Sequence, residues 1–94
     1  MFEAIFGDDN QVMLAGRFDA SQVDKAKAIF DTITNSCTVN FKNVEYISSA
    51  GLGVLIATQK RLTDSGKKMK LSNLHGHVKD IFYYAGFDKI FEIE

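Results

Sequence analysis

The sequence predicts a single α/β domain over residues 1–94, with a mixed four- to five-stranded sheet flanked by helices. Two short alternating apolar segments open the chain, separated by Gly7-Asp8-Asp9-Asn10, which is the pattern of a hairpin. From Asp19 onward, segments of helical apolar spacing alternate with segments of period two, the order that produces strand–helix–strand crossovers. Proline is absent and the seven glycines are dispersed, so no linker or low-complexity stretch divides the chain.

The first strand is expected over Phe2–Phe6, where Phe2, Ala4 and Phe6 share one side. Val12, Leu14, Gly16 and Phe18 take alternate places in a second strand. Asp19-Ala20-Ser21 then supplies short polar side chains that accept orphan backbone N–H bonds, the chemistry of a helix start. Val23, Ala26, Phe30 and Ile33 form the apolar stripe of that helix, which Asn35-Ser36 ends. A third strand carries Cys37, Val39 and Phe41, and Lys42 to Ser48 reads as a connection. Ser48 or Ser49 caps a second helix that runs to about Ser65, with Gly66 as its stop. Met69 and Leu71 mark a fourth strand. Val78, Ile81, Phe82 and Ala85 mark a last helix that stops at Gly86, and Phe87 to Ile93 is read as a closing strand.

Composition narrows the function. With 46% hydrophobic and 24% charged residues, the chain has the balance of a folded soluble domain. Its longest apolar run, Leu52 to Ala57, is far shorter than the roughly 20 residues of a membrane span, and no signal peptide is visible. A cytoplasmic protein without membrane insertion is expected. A net charge of -1 gives no concentrated basic surface, and Lys67, Lys68 and Lys70 read as a solvated turn and strand edge, so direct nucleic-acid binding is not expected.

Few residues suggest catalysis. Cys37 lies mid-strand without a CxxC partner or a neighbouring base, so it reads as a buried, inert thiol and leaves a thiol activity little support. His75 and His77 stand two apart, which points them to different faces of a helix, and no ligand set completes them; neither metal nor cofactor is expected. Asp8 and Asp9 are explained by turn chemistry. Tyr83, Tyr84 and Phe87 could form an exposed patch, but their place beside the last apolar stripe favours core packing. No phosphate-binding loop or nucleophile elbow occurs, so the chain is not expected to be an enzyme.

Ser48-Ser49-Ala50-Gly51-Leu52-Gly53 is different, because two hydroxyls and two glycines sit where a loop becomes a helix. A glycine costs about 1 kcal/mol in a helix interior relative to alanine. Close approach of another backbone, or open access to the helix N-terminus, would repay that cost. Such an N-terminus favours phosphate through its free N–H groups and partial positive charge. A serine cap followed by close helix packing accounts for the same residues.

This hexapeptide resembles the D-S-S/A-G-L-G motif of STAS domains, typified by bacterial anti-sigma factor antagonists. Three further segments agree in order: Leu14 to Asp19 is similar to the family's L-x-G-x-L/F-D, Val39 to Ser48 resembles the strand and turn before the motif, and Asn73 to Phe91 resembles the last helix and G-L/F-D-K-I/V-F ending. The resemblance implies a STAS-type fold and a regulatory protein that binds an anti-sigma factor, itself a serine kinase in partner-switching systems. It implies phosphorylation at Ser49, with Ser48 as the competing acceptor, standing where the motif has Asp. It implies partner binding through Asp19, Ser48, Ser49, Ala50, Gly51, Leu52 and Gly53. A STAS subunit of a lipid-trafficking ABC transporter assembly, docking by the same helix without a phosphoswitch, is the alternative. A monomer is expected, since one core accounts for the apolar stripes.

Overall fold

The computed structural model describes residues 2–94; Met1 lies outside the described residues. Five strands form one sheet in the order β1-β2-β3-β4-β5: β1 (Phe2–Phe6), β2 (Gln11–Phe18), β3 (Cys37–Ile47), β4 (Met69–Ser72) and β5 (Glu92–Ile93). Three helices join them: α1 (Val23–Phe30), α2 (Ser49–Asp64) and α3 (Gly76–Tyr84). The hairpin makes β1 and β2 antiparallel, and every later pair is parallel.

This topology decides where the helices lie. Each crossover adds its strand beyond the last one, and right-handed crossovers that all step the same way leave every helix on the same face. Burial follows that asymmetry. Val12, Leu14, Cys37, Val39, Phe41, Met69 and Leu71 are buried, while Met13, Ala15, Thr38, Asn40, Lys70 and Ser72 between them are only half-buried. The helices therefore flank one side of the sheet and the other side is open. Phe82 of α3 ties the core together, meeting Phe41, Phe87 and Phe91 edge-on at ring distances of 5.7, 6.1 and 5.8 Å.

Three expected boundaries change. The segment Lys42–Ser48 is not a connection; β3 continues through it to Ile47. The apolar residues Phe41, Val44 and Ile47 fall three apart because β3 has one extra residue opposite Leu14 and another between Val44 and Tyr46. The first helix ends at Phe30, and Ile33 enters the core from the loop beyond it. Thr32, Ile33 and Thr34 are β-branched and poor at prolonging a helix, and Arg61 of α2 takes the Phe30 and Ile33 carbonyls at 2.9 and 2.8 Å. The closing strand shrinks to Glu92–Ile93, because Phe87–Lys89 forms a short 3-10 helix that turns Phe87 onto Phe82.

Candidate functional site

β2 and β3 are parallel neighbours, so their C-terminal ends emerge side by side, the edge of an open sheet where ligands and partners commonly bind. Phe18 ends one and Ile47 ends the other. The Ser48 N–H donates to the Phe18 carbonyl at 2.9 Å, tying the two exits together. Asp19 and Ser48 are thereby brought to one surface.

Each of these residues starts a helical segment. Asp19 is extended (φ -97°, ψ 179°) and caps the short 3-10 helix Ala20–Gln22, accepting from the Ser21 N–H at 3.1 Å and the Ser21 hydroxyl at 2.5 Å. The hydroxyl bond holds its carboxyl below the usual value, and the charge of Arg17 adds to the effect. Ser48 is also extended (φ -89°, ψ 168°), and its Oγ accepts from the Gly51 N–H at 3.1 Å as the N-cap of α2. Ser49, the first residue of α2, is exposed and makes no side-chain hydrogen bond among the described residues.

The two glycines separate. A Cβ on Gly51 would stand 3.0 Å from both the Phe18 carbonyl oxygen and a ring carbon of Phe18, and 3.1 Å from Ile47, so only glycine lets α2 sit this close to the strand ends. A Cβ on Gly53 would meet nothing within 4 Å. Gly51 and Leu52 turn inward, whereas Ala50 and Gly53 are exposed beside Ser49. From Ala50 and Gly53 a groove of about 460 Å³ follows the α1–α2 seam past Val23, Val54 and Ala57.

The other candidates lie elsewhere. Cys37 is buried at the opposite end of β3, beside a cleft of about 240 Å³ that Phe6 and Ile33 also line, and burial pushes its thiol up, away from the reactive thiolate. The His75 Nε2–H donates to the Lys42 carbonyl at 2.9 Å, satisfying a backbone group at the first extra residue of β3. No group of three or more His, Cys, Asp or Glu side chains that could hold a metal occurs among the described residues. Tyr83 and Tyr84 are not packed in the core: they are 45% and 89% exposed. Both lie off the Val78-Ile81-Phe82 stripe on the outer side of α3, contrary to the expectation of core packing, whereas Phe87 does pack inward.

One pair at the site escapes sequence reading. The Arg17 guanidinium carbon lies 4.6 Å from the Tyr46 ring centroid, a stacked cation at the penultimate residue of both strands. Only the register between β2 and β3 makes them neighbours.

A one-faced mixed sheet with a serine-capped helix at the exits of its first two parallel strands defines the class of α/β domain to which the chain belongs. A family model described as "Mlab, STAS domain" matches residues 1–92, and the chain belongs to the STAS-domain family. A protein of Bordetella bronchiseptica named as anti-sigma factor antagonist BtrV is 32% identical over 74 residues, 79% of this chain and 58% of that relative, so the match spans little more than half its length. The crystal structure of an anti-sigma factor antagonist from Thermotoga maritima superposes with a TM-score of 0.82 at 23% identity, covering 98% of this chain and 84% of that one. The Bacillus cell fate determinant SpoIIAA in its phosphorylated form gives 0.73 at 17% identity, covering 100% and 91%. At such identities these two structures speak for the fold alone. No helix is long and apolar enough to cross a membrane among the described residues.

Proposed function

We propose that the chain is an anti-sigma factor antagonist-like regulatory protein, without enzymatic activity of its own, that binds an anti-sigma factor with serine-kinase activity in the cytoplasm and is switched by phosphate on Ser49. The observation that carries this reading is the contrast between two adjacent serines. The Ser48 hydroxyl is committed to the cap of α2, while that of Ser49 is exposed and unengaged. A kinase reaches Ser49 without dismantling the helix start, whereas modifying Ser48 removes the cap. The relative named as an anti-sigma factor antagonist supports the partner class.

The free N–H groups of the first turn and the helix dipole favour a phosphate there, so the phosphorylated chain keeps its fold. The added charge, about -1.5 to -2 at pH 7, falls on the surface that also carries Asp19. Repulsion and desolvation then oppose docking with a partner that fitted the neutral hydroxyl.

The test is incubation with each purified anti-sigma serine kinase from the source organism, followed by mass spectrometry and binding measurements. Phosphate on Ser49, tight binding of the unmodified chain and weak binding of Ser49→Asp are expected. Phosphate on Ser48 alone overturns the assignment. The transporter-subunit reading draws on Ser48 standing where the family motif has Asp. Absence of kinase binding together with co-purification on an ABC-transporter ATPase would favour it.

A further inference from the structure

The chain contains two arginines, and they are used in opposite ways. Arg61 is occupied by two backbone carbonyls at the C-terminal end of α1. Arg17 is exposed and has no ion-pair partner among the described residues, whose ion pairs are Lys27–Asp31, Lys68–Glu92 and Lys70–Glu92.

The backbone around Arg17 keeps it unpaired. Gly16 stands opposite Val44, so a regular register would place Arg17 opposite Glu45, a carboxylate on the adjacent strand. The extra β3 residue moves it opposite Tyr46 instead, and Gly16 sits at φ 92°, a conformation that favours glycine. Arg17 is thus withheld from a local acid and laid on an aromatic ring, which restricts a long side chain without neutralising it. It precedes Phe18, whose carbonyl holds Ser48, and lies within electrostatic reach of Asp19.

We propose that Arg17, held on Tyr46, is a specificity residue of the Ser49 docking surface and takes a carboxylate of the partner. The inference rests on the docking function proposed above and names the chemistry the partner must present. With Arg17 positive and Asp19 negative at the same strand exits, the complementary surface carries an acid facing the first and a base facing the second. Such a pattern sets register and speeds encounter more than it adds raw affinity. An arginine already ordered by stacking loses less freedom when it forms a two-pronged carboxylate contact, and lysine cannot reproduce that geometry.

The experiment uses the kinase that phosphorylates the full chain, with association and dissociation rates measured between low and high salt for wild type, Arg17→Gln, Arg17→Glu and Arg17→Lys. Melting temperatures of the free proteins are recorded alongside. Arg17→Gln is expected to lose about tenfold in affinity, mainly through slower association and a shallower salt dependence, with its melting temperature little changed. Arg17→Glu should lose more, and Arg17→Lys should keep the salt dependence while recovering only part of the affinity. Binding of Arg17→Gln and Arg17→Glu within twofold of wild type, with Ser49→Asp still impaired, overturns this inference and leaves the proposed function standing. If wild type binds none of the kinases, both fall together.

Discussion

From Cys37 to Phe41, β3 alternates buried and half-buried residues in strict period two, whereas from there to Ile47 its buried positions fall three apart and it gains two residues on β2. The regular half faces the core, with Phe41 against Phe82, and its one reactive atom, the Cys37 sulfur, is buried with a raised pKa. The irregular half leads to the candidate site. Its first extra residue leaves Lys42 backbone groups that Asn40 Oδ1 and the His75 ring satisfy at 2.8 and 2.9 Å. Its second moves Arg17 away from Glu45 and onto Tyr46. Departures from regular pairing reorient side chains at a cost to the ladder, and here both fall in the half of β3 that leads to Ser48 and Ser49.

Truncation in the regular half tests this contrast most severely. Phe41→Ala removes a fully buried ring and should cost about 3–5 kcal/mol in urea or thermal unfolding. A loss below about 1 kcal/mol would mean that the core is not organised around the Phe41–Phe82 pair. At the other end, Gly51→Val should destabilise by about 1–3 kcal/mol, because its side chain would enter the contact with Phe18 and Ile47. A neutral result would show that α2 does not seat closely on the strand exits.

Smaller changes sharpen the comparison within the site. Ser48→Ala should cost about 0.5–2 kcal/mol through loss of the cap, while Ser49→Ala should stay within about 0.5 kcal/mol. Equal losses would contradict their different bonding. Gly53→Ala should stabilise the free protein by about 0.5–1 kcal/mol, since its site is open and alanine is the better helix former. If that variant also weakens kinase binding, the glycine serves close approach of the partner.

The smallest effect concerns acid. Asp19 has a folded pKa below its unfolded one, chiefly through the Ser21 hydroxyl, so the unfolded state binds more protons in that range. Its contribution is complete above the unfolded value, about 3.9, and disappears as pH falls through the folded value. The stability difference between wild type and Asp19→Asn in denaturation curves should therefore begin to shrink as pH falls below about 4 and level off only below the folded value. A difference that stays constant through that range would show that the Ser21 contacts do not favour the charged carboxylate.

Much of the fold was legible because its signals are local. The Asp9 and Asn10 turn residues take φ 57° and 59°, Asp19 and Ser48 cap as their short oxygens allow, and Gly66 and Gly86 adopt φ 76° and 75° where helices stop. The second half of β3 was not legible, since an extra residue shifts the apolar period and makes a strand look like a connection. The end of α1 was obscured because Ile33 continues the helical stripe after the helix has stopped. At the site, Asp19, Ser48 and Ser49 were visible from motifs, but that only one hydroxyl is engaged required the Gly51 N–H to be placed.

The sequence by itself determined the alternation of elements, the Asp19 cap, most of the core and the hydroxyl-glycine segment, because each depends on residue type and spacing over one or two turns. Tertiary structure decided what depends on register and on the approach of distant segments. Those decisions are the extra residues in β3, the pairing of Arg17 with Tyr46, the need for glycine at 51 but not at 53, and the placing of all three helices on one face. The physical reason is that a hydrogen-bond cap needs only its neighbours. A strand register is chosen by the whole sheet, and a close contact exists only once both backbones are in place.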